Sequence, residues 1–66
     1  MDRHNDAEQI ADMIGGRIDR HTMDDGTRVF SIETDDQGVS GSGTSDDEAW
    51  EDLVRSAYQA GWRLEE

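Results

Sequence analysis

Cysteine, lysine and long apolar runs are all absent from this chain of 66 residues. Without cysteine, no disulfide can cross-link the fold and no thiolate can bind zinc or attack a substrate. No apolar run approaches the roughly 18 residues that a transmembrane helix needs. The first residues also lack the basic and apolar regions of a signal peptide. We therefore expect a cytoplasmic protein with no membrane partner.

Charge of one sign dominates what is present. Seventeen Asp and Glu residues face six basic residues, all of them Arg, which gives a net charge of −11. A nucleic-acid backbone or an anionic membrane surface would repel such a chain. Acidic surfaces without lysine are also typical of halophilic proteins, and small acidic domains are soluble. The charge argues against direct nucleic-acid binding and leaves two reasons for the acidity open.

Residues 1–66 are enough for one domain and leave no room for a second. A core of this size is marginal in free energy. Most of the core is expected from one helix that follows the Gly-rich stretch starting at Gly38. Its apolar positions follow the spacing of a helix with one buried side: Trp50, Leu53, Val54, Ala57 and Tyr58.

The ends of this helix are marked by capping signals. Ser45 is a good N-cap, and Glu48, three residues later, completes a capping box. Gly61 is typical of the residue that ends a helix, with Trp62 folding back onto the last turn. An earlier, shorter helix is predicted from an apolar stripe at Ala7, Ile10, Ala11 and Ile14. Asn5 is its expected N-cap, and Gly15-Gly16 ends it.

Three strands are expected between the helices. Residues 17–23 form a weak candidate, and Asp25-Gly26 is a strong hairpin signal. Residues 27–34 form the best strand, because alternation places Phe30 and Ile32 on one face. Residues 39–43 are small, which would let a helix approach closely.

The element order is therefore α-β-β-β-α, and the fold class is α+β. The simplest architecture is a single small domain in which a three-stranded antiparallel sheet carries both helices on one face. The expected core consists of the apolar residues of the helices and the central strand: Ile10, Ile14, Phe30, Ile32, Trp50, Leu53, Val54, Ala57 and Tyr58.

Motifs for chemistry are weak in this chain. A calcium-binding loop beginning at Glu33 would need a carboxylate at its twelfth position, which is Thr44. His4 and His21 are the only histidines, and neither belongs to a recognisable triad. A phosphate cradle at residues 41–43 would be opposed by the three acidic residues that follow. We therefore expect no enzymatic activity, no metal site and no cofactor.

The element order, with residues 41–45 entering a helix that carries Glu48-Ala49, resembles the double-stranded-RNA-binding domain. In that family lysines in the first turn of the helix grip phosphates, whereas here those positions are Asp46 and Asp47. The turn that enters the minor groove in the family is Asp24-Asp25-Gly26 in this chain. The resemblance implies the fold, and the reversed charges argue against RNA binding.

The character of the whole chain resembles phage-encoded anti-CRISPR proteins, and is nearest to an inhibitor of the type I-C system. These are tiny, often acidic domains with few cysteines and no catalytic motifs. Several of them occupy the basic groove in which a CRISPR surveillance complex receives DNA. The resemblance implies an inhibitor in the host-cell cytoplasm whose partner is a DNA-binding subunit of that complex.

Charge alone supports the same kind of partner, because DNA-binding proteins carry Arg- and Lys-lined grooves for which an anionic surface can compete. We expect a monomer that binds a basic protein surface by DNA mimicry. The expected binding residues lie on the long helix and in two turns: Asp24, Asp25, Asp35, Asp36, Asp46, Asp47, Glu48, Glu51 and Asp52. The alternatives are an acidic domain of halophilic type and an antitoxin-like adaptor that pairs through a sheet edge.

Overall fold

The computed structural model describes residues 3–63, which form two helices and three strands in the predicted α-β-β-β-α order. The elements are helix α1 (Arg3–Ile14), strand β1 (Arg17–Thr22), strand β2 (Arg28–Glu33), strand β3 (Gly38–Gly43) and helix α2 (Asp46–Gln59). The predicted α+β class and the three-stranded antiparallel sheet are confirmed. The predicted span of one domain, residues 1–66, extends past the described residues at both ends.

The sheet has the strand order β1-β2-β3, and its inner face is built on β2. Phe30 and Ile32 are buried on that face, as predicted. The register places Ile18 of β1 and Val39 of β3 on either side of Ile32. Both helices pack on this side of the sheet, while the outer face leaves residues such as Asp19 exposed.

Two glycines let α2 lie directly against β3. A Cβ atom on Gly41 would lie 2.1 Å from the Leu53 nitrogen, and one on Gly43 would lie 2.5 Å from the Glu48 Cβ. Real Cβ atoms do not approach other heavy atoms so closely. The small residues of β3 therefore set the distance between helix and sheet, as the sequence predicted.

The predicted ends of α2 are confirmed. Ser45 lies in an extended conformation, and its hydroxyl accepts a hydrogen bond from the Glu48 N–H. At the other end, Gly61 has a φ of 92°, which favours glycine. The N–H groups of Gly61 and Trp62 donate to the carbonyls of Tyr58 and Ala57. This pair of bonds is a Schellman motif, and it turns Trp62 back against the core.

Seven of the nine predicted core residues are buried, and the other two, Ile14 and Tyr58, are partly buried against the same cluster. Three alanines complete the cluster: Ala7, Ala11 and Ala49. Trp50 packs on Phe30 with ring centroids 4.3 Å apart. With Ala57, each helix contributes two alanines to the cluster, and such small side chains allow close packing.

The start of α1 differs from the prediction. The helix already includes Arg3, so Asn5 lies inside it and is not its N-cap. The earlier start places His4 on the helix, where its ring stacks on Trp50 at 4.4 Å and its Nε2 lies 3.6 Å from Glu8. The apolar stripe that predicted this helix begins only at Ala7, because residues 3–6 are all polar and give no sign of the first turn.

The close approach of α2 to β3 predicts that Gly41→Ala is strongly destabilising. The added methyl group would force the backbone of α2 away from the sheet and loosen the contact between Trp50 and Phe30. We expect a loss of about 3 kcal/mol or more in the free energy of unfolding. A domain of this length has about 3–10 kcal/mol in total.

Gly38→Ala is the matched control, because a Cβ at Gly38 would meet its nearest atom at 3.5 Å, an ordinary contact. Its free energy of unfolding in urea should stay within about 1 kcal/mol of the wild type. Equal losses for the two variants would contradict the assigned helix-strand contact.

Candidate acidic interaction surface

Arg28 organises one end of the domain. Its Nη1 donates to the carbonyl oxygens of Gly26, at 2.8 Å, and Thr44, at 2.9 Å. Its Nε donates to Oδ1 of Asp46, at 2.9 Å. The guanidinium thus connects the β1–β2 turn with the N-terminus of α2, two segments far apart in sequence.

We call this region the acidic end, and define it as Asp24, Asp25, Asp46, Asp47 and Glu48. All five residues are exposed, and the guanidinium of Arg28 binds one of them, Asp46. The helix dipole favours carboxylates in the first turn of α2. The structure therefore brings together five of the nine predicted site residues on two adjacent segments.

Two carboxylates of the acidic end hold its backbone in place. Oδ1 of Asp25 accepts a hydrogen bond from the Thr27 N–H at 2.9 Å, which closes the β1–β2 turn. Oε1 of Glu48 accepts from both the N–H and the hydroxyl of Thr44. Glu48 therefore reaches one residue further back than a standard capping box, which would use the N–H of Ser45.

These hydrogen bonds also keep the two groups ionised. The Thr27 N–H, followed by the Thr27 side chain, lowers the pKa of Asp25 below its usual value. The Thr44 hydroxyl, followed by the Thr44 N–H, lowers the pKa of Glu48. Hydrogen bonds donated to a carboxylate favour its charged form. The acidic end therefore retains these negative charges under mildly acidic conditions.

Asp52 differs from the predicted outward-facing carboxylate. Its Oδ2 accepts a hydrogen bond from the Ser42 N–H of β3 at 3.0 Å. Its Oδ1 pairs with Arg55 at 3.1 Å. The i, i+4 spacing of Glu51 and Arg55 favours an ion pair between them, but Arg55 instead meets Asp52, three residues earlier. Asp52 therefore links α2 to the sheet, while Glu51 stays exposed.

Asp35 and Asp36 lie at the opposite end of the domain. They share a shallow depression with Ile14 and Trp62, which mark the C-terminal ends of the two helices. The fourteen residues of α2 separate this turn from the acidic end, or about 20 Å at 1.5 Å per residue. The nine predicted residues therefore do not form one continuous surface.

Sequence reasoning did not identify Arg28 as the residue that joins the acidic end. Its contacts reach 16 and 18 residues along the chain, to Thr44 and Asp46. No local pattern in the sequence encodes contacts over such a distance. The register of β2 and β3, which places Arg28 opposite Gly43, is what brings the groups together.

The cleft between the helices contains no arginine that is free to bind a ligand. A cleft of about 190 Å³ between the helices is lined by Arg3, Glu51, Val54, Arg55 and Tyr58. Both arginines already pair with aspartates, at 3.0 and 3.1 Å. Within residues 3–63, no three His, Asp or Glu side chains come close enough together to hold a metal ion.

Comparison of the chain with known protein families, with curated proteins and with solved structures finds no match. Neither described helix has the length and apolar character needed to cross a bilayer.

The lowered pKa of Glu48 predicts a pH-dependent contribution to stability. A carboxyl whose pKa is lower in the folded state stabilises the fold above its unfolded pKa of about 4.3, and this stabilisation is lost as the pH falls through the folded pKa. At neutral pH the wild-type protein should have a larger free energy of unfolding than Glu48→Gln. The difference should vanish as the pH falls from neutral to below the folded pKa of Glu48.

Thermal unfolding across this pH range measures the difference directly. Glu51→Gln serves as the control, because it removes the same charge from an exposed residue one turn along the helix. If the stability of Glu48→Gln relative to wild type did not change with pH, the hydrogen bonds from Thr44 would not be holding Glu48 ionised.

Proposed function

We propose that this chain is a non-enzymatic binding protein whose acidic end, extended by Glu51, occupies a basic nucleic-acid-binding groove on a protein partner. The resemblance to anti-CRISPR proteins suggests the DNA-binding subunit of a CRISPR surveillance complex as that partner. In this role the protein would be an inhibitor that excludes DNA by taking its place.

Three exposed carboxylates carry the proposal: Asp24, Asp47 and Glu51. Among the described residues, none of the three has a hydrogen bond or an ion pair within the chain. Their charge is therefore not neutralised internally, and they require no rearrangement to meet a cation. An arginine or lysine of a partner would supply the missing counter-charge.

The setting of these carboxylates is pre-organised. Ser45 and Gly61 cap the two ends of α2, and Arg28 joins the helix to the β1–β2 turn. Such a surface gives up little conformational freedom on binding, which reduces the cost of association. Flexible carboxylates on a disordered segment would lack this advantage.

The dimensions also suit a groove that accepts duplex DNA. DNA presents about one negative charge per 1.7 Å of helix axis. Residues 46–52 of α2 cover roughly 9 Å at 1.5 Å per residue, and the β1–β2 turn extends the surface sideways. Complementary charge would speed association with the groove and make binding sensitive to salt.

The same exposed carboxylates would also suit a domain adapted to high salt, which is the main alternative. A halophilic surface requires only a high density of hydrated carboxylates, without a preferred location. A DNA mimic requires that particular carboxylates matter more than others. Charge-reversal variants of equal net charge distinguish the two accounts.

We expect the triple change Asp24→Lys, Asp47→Lys, Glu51→Lys to abolish competition with DNA. Each Lys replaces attraction to a basic groove by repulsion, so affinity should fall at least about a hundredfold, and association should lose its salt dependence. The measurement is displacement of a labelled DNA duplex from a purified CRISPR surveillance complex, at several salt concentrations.

The matched control is Asp12→Lys, Asp35→Lys, Asp36→Lys, three exposed residues away from the acidic end. Both triple variants change the net charge from −11 to −5. The affinity of the control for the complex should stay within a few-fold of the wild-type affinity. Equal losses would show that only net charge matters, and unchanged binding by both would contradict DNA mimicry.

A further inference from the structure

The two edges of the sheet differ in their protection. On β3, the outward N–H of Ser42 is occupied by Asp52, and α2 lies against the strand. On β1, five of the six residues are exposed, and no described element lies beside the strand. An unprotected edge offers unpaired N–H and C=O groups to another strand.

The direction of these free groups follows from the hairpin. The N–H of Met23 donates to the Thr27 carbonyl at 2.8 Å, in the same register as the β1–β2 ladder. The direction in which backbone N–H and C=O groups point alternates along a strand, so these groups point toward β2 in the odd-numbered residues of β1. Ile18, Arg20 and Thr22 therefore present their backbone groups to the open edge.

The side chains of β1 have free charges of both signs. Arg17, Asp19 and Arg20 have no ion pair or hydrogen bond among the described residues. The other described arginines are engaged: Arg3 with Asp6, Arg28 with Asp46, Arg55 with Asp52, and Arg63 over the ring of Tyr58. In a chain of net charge −11, β1 is the element with more arginines than carboxylates.

We propose that β1 pairs antiparallel with β1 of a second copy of this chain, with Ile18 opposite Ile18 of that copy. The result is a two-fold symmetric dimer with a continuous six-stranded sheet and all helices on one face. This proposal departs from the monomer expected from sequence, because the unprotected edge and its charges become apparent only in the fold.

Charge disfavours the two registers that would pair more of β1 with its copy. In those registers, which also preserve the faces, Asp19 would face Asp19, or Arg20 would face Arg20, and like charges directly opposite are destabilising. With Ile18 at the centre, Arg17 of each copy faces Asp19 of the other. Ile18, which is half-buried at the margin of the core, also gains an apolar neighbour.

The same register keeps the two acidic ends apart. The turn that carries Asp24 and Asp25 follows the C-terminal end of β1, and antiparallel pairing directs the two turns away from each other. Centring on Ile18 separates them by about 40 Å along the strands at 3.4 Å per residue. This distance is several Debye lengths at physiological ionic strength. Both acidic ends therefore stay available for the partner proposed above.

Single cysteines test the pairing, since the chain has none of its own. We expect Ile18→Cys to form an intermolecular disulfide rapidly, because the two Cα atoms would lie about 5.5 Å apart. Asp19→Cys and Arg20→Cys should link much more slowly. Circular dichroism confirms that each variant is folded. Rapid linking at residue 19 or 20 would overturn the register, and slow linking at all three would overturn the interface.

A charge-swap experiment leaves Ile18 intact. Sedimentation equilibrium at physiological ionic strength should find a wild-type dimer, weakened about tenfold by either Arg17→Asp or Asp19→Arg. An equimolar mixture of the two variants should recover wild-type affinity, because both cross-strand pairs are then opposite in sign. A wild type that stays monomeric, or a mixture no better than its components, would overturn the proposal, even if the edge bound some other protein.

Discussion

The contact between α2 and β3 determines the rest of this structure. Because Gly41 and Gly43 have no side chains, the helix backbone lies directly on the strand. That position places Trp50 on Phe30 and brings Asp52 to the Ser42 N–H. It also fixes the N-terminus of α2 beside the β1–β2 turn, where Arg28 joins them. One close approach thus organises the core, one sheet edge and the acidic end.

Charge is distributed unevenly over this small frame. The acidic end contains five carboxylates and one guanidinium, while two arginines and one aspartate of β1 have no partner within residues 3–63. Some carboxylates have structural roles: Asp25, Glu48 and Asp52 accept hydrogen bonds from backbone N–H groups. Others, such as Asp47, have no internal partner among the described residues. This division distinguishes carboxylates that maintain the fold from those available to another molecule.

Local signals predicted the fold well, because apolar spacing and caps act over only a few residues. Ser45, Gly61 and the alternation at Phe30 and Ile32 were sufficient to predict α2 and β2. The site was harder to predict, because charge pairs such as Arg28–Asp46 depend on register and on the position of the helix. Proximity in sequence favours a pair between Arg55 and Glu51, whereas Arg55 pairs with Asp52. No local pattern indicated that Asp35 and Asp36 would lie far from the acidic end.

The packed core holds the acidic end in place against the repulsion among its carboxylates. Circular dichroism during thermal unfolding in about 10 mM buffer tests this claim, because the Debye length is then about 30 Å, comparable to the molecule's longest dimension of 34 Å. We expect a helical spectrum and a cooperative transition in this buffer. A chain that lacks helix there and folds only in molar salt would contradict the claim, and would favour a halophilic domain.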